Sequence, residues 1–301
     1  MWRGEMISSA LVPALGSLIC AGLNDVVFKR FSTRSRSRGI YLAGIGLVWT
    51  ILQLTLSFVQ GKVFDYSMPS LVFGLICGLL LAASNILLLE SLTHIDVGLG
   101  SMIYRLNTVV VVILSVAFLP EALDVFKASG VLAGLAAVLL LYRRSGHAGD
   151  LYTNFRFFFG LAVVASVLRA LYAVGSKFAL LHGASKDTML LITAVSWIVG
   201  GLLYALIRYL TAPSFRDRQP LDRTLLFYAL FSGVLVFLIV NLLLQAVELG
   251  EASVVVPVAN LSFVFALLLS VVLKWEKLTW RKGIAVVTSL LSLYLLSVSG
   301  R

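Results

Sequence analysis

Ten stretches of about 20 residues, nearly free of charge, follow one another along the chain with only short polar breaks between them. They are read over residues 8–28, 39–59, 70–92, 98–119, 122–142, 157–180, 188–207, 225–247, 252–273 and 283–299. A helix rises 1.5 Å per residue, so a run of this length covers the roughly 30 Å of a bilayer's hydrocarbon core. Lipid offers no partner to a backbone N–H or C=O, so each run must bond itself as a helix. The expected fold is therefore all-α and integral to a membrane, with ten transmembrane helices. Composition agrees: 60% of residues are hydrophobic and 13% charged, where a soluble domain has about 45–50% and about 25%. With a mean hydropathy of +1.00, a 301-residue chain has no room for a sizeable soluble domain. The first run follows Arg3 and has the outline of a signal peptide, but a matching segment recurs in mid-chain, so it is read as retained.

The chain carries 24 Lys and Arg against 14 Asp and Glu, a net charge of +10. Most of these cations cluster in the breaks between apolar runs, which is what orientation in a membrane requires, so no nucleic-acid partner is expected. With ten spans, one side carries Arg3, Lys62, Lys127, Lys186 and Arg301. The opposite side carries sixteen cations, in the breaks around Lys29–Arg38, Arg143–Arg156, Arg208–Arg223 and Lys274–Lys282. That bias places those four loops in the cytoplasm and both termini outside. Cys20 and Cys77 both lie inside apolar runs, which argues against a disulfide framework or a Cys-based metal site.

The chain repeats itself. IDVGLGSMIYRLNTVVVVILSVAFLPE, ending at Glu121, aligns without a gap onto GEASVVVPVANLSFVFALLLSVVLKWE, ending at Glu276, at an offset of 155. Asp96 falls on Glu251 and Glu121 on Glu276. AGLNDVVFKRF, with Lys29, matches RALYAVGSKFA, with Lys177, at an offset of 148. Asn85 and Asn241 occupy the third helix of each half. The chain divides into five-helix repeats at 1–145 and 146–301. Five is odd, so the second repeat enters from the opposite face. Such inverted repeats hold a solute near the midplane between them.

On these residues the sequence resembles the drug/metabolite transporter superfamily, and within it the ten-helix EamA type. The resemblance rests on AGLNDVVFK late in the first helix, on FLPEAL and KWEKL closing the fourth and ninth, and on the proline-bearing VVVPVANLSFVF. It implies a multi-pass transporter of the bacterial inner (plasma) membrane, often an exporter of amino acids or related metabolites. The chain departs from the pattern in places. Met102 stands where the second half has Pro257, and Glu276 to Gly283 is shorter than Glu121 to Gly130. The resemblance implies cytoplasmic termini, opposite to the charge bias.

A charge at mid-bilayer costs about 2.5–3.5 kcal/mol, so intramembrane charges are functional candidates. Arg105 and Arg169 lie within spans four and six, and the guanidinium fork suits a carboxylate or phosphate. Snorkelling or an ion pair between helices is the competing explanation. Asn24 and Asp25 sit near the end of the first span. Asp25 is the candidate for coupling to a proton, or for pairing with Arg169 or Lys177. Asn260 occupies the repeat position of Arg105 and follows Pro257, which frees a carbonyl and bends the helix beside a cavity. Asn85 and Asn241 are polar residues in spans, where hydrogen bonds between helices are the usual role. Trp49, Tyr104, Tyr172 and Trp197 are aromatic candidates for lining a solute pocket, with packing as the alternative. Glu90 and Lys177 lie near span ends, where snorkelling or capping explains them. Glu121 and Glu276 read as structural, at the N-terminal dipoles of helices five and ten. Gly74 with Gly78, and Gly130 with Gly134, mark close helix contacts.

These readings describe a secondary transporter moving a small organic metabolite (an amino acid, an organic acid or a related solute, with an anionic group suggested by the arginines) by alternating access. The partners are the lipid bilayer, the solute, and a coupling proton or counter-substrate. No cofactor, metal or catalytic residue is expected, and no oligomeric state is encoded in any motif. A lipid or lipid-linked carrier of the same fold is the alternative and would need a lateral opening between helices. An intramembrane enzyme would need clustered titratable groups, whereas His94, His147 and His182 are scattered in loops.

Overall fold

The structure, a computed structural model, describes residues 2–32, 37–91, 105, 107–140, 152–211, 223–273 and 279–299. In chain order the helices are α1 (Trp2–Ser32), α2 (Arg38–Val59), α3 (Met68–Ser91), α4 (Asn107–Phe118), α5 (Val125–Leu140), α6 (Tyr152–Leu181), α7 (Lys186–Thr211), α8 (Arg223–Leu249), α9 (Ala252–Asn260), α10 (Ser262–Val272) and α11 (Trp280–Val298). Among the described residues, eight spans are long and apolar enough to cross a membrane. One of them, Ala252–Leu269, runs through both α9 and α10. Two shorter apolar helices, Asn107–Phe118 and Val125–Ala137, hold the fourth and fifth places. The result is ten apolar segments in two repeats of five.

The way the segments pack displays the inversion. α1 lies against α8, and α3 lies against α6. These are the same first-to-third contact, made once from each repeat into the other. α2 against α7 and α5 against α11 pair equivalent helices across the axis relating the repeats. One detail shows the relation at atomic level. Ser17 Oγ donates to the carbonyl of Ile239 at 3.0 Å, joining α1 to α8. Ala165, 148 residues on from Ser17, accepts from Ser84 Oγ at 2.7 Å, joining α6 to α3.

Small residues set the closest approaches, because without a hydrophobic force between helices in lipid the association relies on tight packing and polar contacts. Where α2 crosses α7, a Cβ on Gly39 would stand 2.6 Å from Gly201 O, and one on Gly201 would stand 2.5 Å from Ala43 N. The glycine pairs marked in the sequence do the same: Gly78 abuts Ser196 of α7 and Gly130 abuts Leu296 of α11. Ser292 Oγ then donates to Gly130 O at 2.6 Å. Outward-facing side chains such as Leu75, Leu79, Leu202 and Leu206 are exposed, as a lipid-facing surface requires. The span through α9 and α10 is the most enclosed, 67% buried against 22% for α11, so it runs through the middle of the protein.

Two sequence expectations change here. Glu121 does not sit on the dipole of α5, which starts at Val125 and takes its first-turn acceptor from Asp124 (Lys127 N to Oδ1, 2.6 Å). Its carboxylate reaches across to the other repeat and caps α9, accepting from Ala252 N at 2.8 Å and Ser253 N at 2.9 Å. The span 252–273 is two helices rather than one, broken at Leu261. Glu276, the repeat mate of Glu121, lies outside the described residues, as do Asp96, His94 and His147.

Candidate functional site

The site is built on the break between α9 and α10. Pro257 has no N–H to give to Ser253 O, which weakens the helix from within. At the end of α9 the chain tightens: Leu261 N bonds Val258 O at 3.1 Å, and Val264 N bonds Leu261 O at 2.9 Å. Val264 would otherwise serve Asn260 O in a continuous helix. That carbonyl is taken instead by Arg105 Nη1 at 2.6 Å. The same nitrogen reaches Ser262 Oγ at 2.9 Å, and the guanidinium carbon lies 5.1 Å from the centre of the Phe263 ring. The second guanidinium nitrogen, Nη2, forms an ion pair with the Asp25 carboxylate of α1. Asn260 returns the contact to the first repeat, its Nδ2 donating to Asn107 Oδ1 at 2.6 Å and Thr108 Oγ1 at 2.9 Å on α4. One junction thus joins α1, α4, α9 and α10.

The charge at this junction is balanced, one cation against one anion. The Arg105 side chain is 12% exposed and that of Asp25 is 41% exposed, so the cation is held while its counter-ion can be reached. Beside them lies a narrow recess of about 10 Å³, room for about one water molecule. Arg105, Thr108, Asn260 and Ser292 give it polar walls, and Pro257 and Phe263 are among its apolar ones. Asn24 Oδ1, next to Asp25 in sequence, and Asn107 Nδ2 are buried with no hydrogen-bond partner among the described residues.

Of the sequence candidates, the structure brings Arg105, Asp25 and Asn260 into direct contact, with Asn24 adjacent. Asp25 pairs with Arg105, not with Arg169 or Lys177. Lys177 instead serves the end of α8, its Nζ donating to Val247 O at 2.6 Å and Gly250 O at 2.9 Å. The Arg169 guanidinium lies 5.9 Å from the Tyr172 ring on the same helix, and neither residue lines the recess. Asn85 bonds Leu81 O within its own helix at 2.8 Å. Asn241 bonds Phe237 O at 2.8 Å and Gln53 Oε1 of α2 at 3.0 Å. Trp49 and Trp197 are buried edge to face, ring centres 5.9 Å apart. Tyr104 lies outside the described residues. Glu90 accepts from Tyr204 Oη and lies near Arg38 and Arg208, at 3.6 and 3.5 Å. Sequence reasoning passed over Thr108, Ser262, Phe263 and Ser292. The one signal for the first three was their position beside Arg105 and Asn260 in the aligned repeats.

Two inverted helical repeats crossing a membrane, with a polar junction and a recess where a helix breaks between them, are the architecture of a membrane transporter. The chain belongs to the EamA-like transporter family, whose model matches it twice, over residues 8–143 and 157–298. It is also similar to an uncharacterized protein of Methanocaldococcus jannaschii, 29% identical over 139 residues. That match takes in 46% of this chain and 97% of the other, about one repeat's length. A crystal structure at 17% identity superposes with a TM-score of 0.79 over 96% of each chain, a likeness of fold.

Proposed function

We propose that this protein is a secondary carrier of a small organic metabolite bearing a carboxylate, an amino acid or organic acid, working by alternating access in the inner membrane of a bacterial cell. The observation that carries the reading is the Arg105–Asp25 pair beside the recess. A fixed guanidinium is a bidentate receptor for carboxylate. Its present counter-ion is half-exposed, so an incoming carboxylate can take the place of Asp25 on Arg105. A solute that also carries an ammonium group leaves Asp25 with a partner, so the balanced pair favours a zwitterion over a dianion. A simple organic acid would leave Asp25 unpaired, and protonation of Asp25 then relieves the excess charge, which is how this site would couple to a proton. The inverted repeats supply two equivalent ways of closing around the junction.

The test is thermal stability of the purified protein in detergent against amino acids, organic acids, sugar phosphates and organic cations. A solute at 100 times its dissociation constant adds about 2.7 kcal/mol. Stabilisation by a carboxylate-bearing solute, absent in Arg105→Ala, supports the reading, and accumulation of that solute in proteoliposomes completes it. Stabilisation by cations that persists in Arg105→Ala overturns it.

A further inference from the structure

We infer that Lys127, Glu251 and Glu121 form a gate that holds one face of the protein shut across the repeat interface. The inference rests on the alternating-access reading and names the part that must open. The up-and-down path of the chain puts the ends of α4 and α8 and the starts of α5 and α9 on one face. There the Lys127 side chain is 1% exposed, and its Nζ stands 2.5 Å from Glu251 Oε2 of the other repeat and 2.5 Å from Ala122 O. A buried ammonium is tolerated only when paired, so Lys127 is stable in this position only while the two repeats stay together. Glu121 is 7% exposed and holds two N–H groups of the first turn of α9, which no helix can satisfy from within.

Other contacts tie the repeats at the same face. Lys62 pairs with Asp187 at 2.9 Å, Ser185 N donates to Ser70 Oγ at 2.8 Å, and Asp65 N donates to Thr188 Oγ1 at 3.0 Å. All are polar contacts that water can replace on separation. What makes the Lys127 cluster a gate, and not merely an attachment, is where α9 leads. Its first residues, Ala252 and Ser253, hang on Glu121, and its last, Asn260, is held by Arg105 and Thr108 at the site. Nine residues of helix, about 13 Å, connect the two, with Pro257 and the break at Leu261 at the site end. Movement of solute and counter-ion around Arg105 is thereby transmitted to the contact that keeps this face closed.

The experiment measures distances between spin labels on Val125→Cys and Leu249→Cys, both exposed positions on this face, one in each repeat, in protein whose Cys20 and Cys77 are changed to Ser. Glu251→Gln leaves the buried Lys127 ammonium without its anion in the closed form, which water relieves in the open form, and Lys127→Met removes the tie between the repeats and leaves a partly exposed Glu251. The ratio of longer to shorter distances should rise by roughly a hundredfold, and the exchange Lys127→Glu with Glu251→Lys should restore the shorter distance. The partly exposed pair of Lys186 with Glu248 is the control, and Lys186→Gln should change nothing. Unaltered distances in folded Lys127→Met and Glu251→Gln, a double exchange that fails to restore them, or an equal shift in Lys186→Gln would each overturn the gate. The distances are read without solute, so failure of the carboxylate-carrier reading is seen separately, in the stability panel.

Discussion

Of the ion pairs that tie parts of this molecule together, Arg105–Asp25 and Lys127–Glu251 are built differently. In the Arg105–Asp25 junction the cation is fixed by neutral acceptors, a freed carbonyl and a serine hydroxyl, while the carboxylate is half-exposed beside a recess. In the Lys127–Glu251 pair the cation is sealed, with one carbonyl and one carboxylate against it. The first arrangement keeps the guanidinium in place when its anion is exchanged. The second gives the ammonium no stable position without its anion. One pair is suited to exchanging partners, the other to recording whether two repeats touch.

The contrast can be broken by substitution. Lys127→Ala should lower stability the most, by about 3 kcal/mol, the low end for breaking a buried pair because Glu251 is partly hydrated. Thermal unfolding of the solute-free protein in detergent should show that loss. Arg105→Ala should behave in the opposite way, with a modest change in the solute-free protein and loss of the roughly 2.7 kcal/mol that saturating solute adds; a large loss without solute would make the two pairs alike. Glu121→Ala should cost about 0.5–2 kcal/mol, as removal of a helix cap does, checked by urea unfolding. The smallest effect concerns Asp65, on the same face as Lys127. Hydrogen bonds from the Ser67 and Ser70 hydroxyls and from Ser67 N hold its carboxyl below the ordinary value of 3.8. A lowered value means that the charged form is favoured by folding. That contribution is present above the unfolded value and is lost as pH falls through the folded one. Asp65→Asn should therefore be less stable than the parent at pH 7, and melting curves of the two should converge as pH drops below the carboxylate range.

Much of this was legible because equivalent helices meet across the axis between the repeats. Residues at the same repeat position then touch. The offset of 155 that aligns the fourth and ninth spans also separates Arg105 from the Asn260 carbonyl it holds. The offset of 148 that matches Lys29 to Lys177 also separates Trp49 from Trp197, which pack edge to face. The partners of Asp25 and Glu121 were not legible, since a carboxylate near a span end has several cations or helix ends within reach and only the packing chooses among them. Lys127 reads as an ordinary loop cation, because nothing in its neighbours announces that the start of α5 is covered by the other repeat. Pro257 signalled a bend, but the break falls four residues later, where Arg105 waits for the carbonyl.

The cap that Glu121 places on α9 also says something about ancestry and assembly. Among the described residues, the first turn of α9 in the second half takes its side-chain acceptor from the first half. Separately made, each half would leave at this face a helix start or a charged side chain that the other half, inserted the other way up, satisfies in the joined chain. Joining the two halves in one chain secures that antiparallel pairing at birth instead of leaving it to chance encounter in the bilayer.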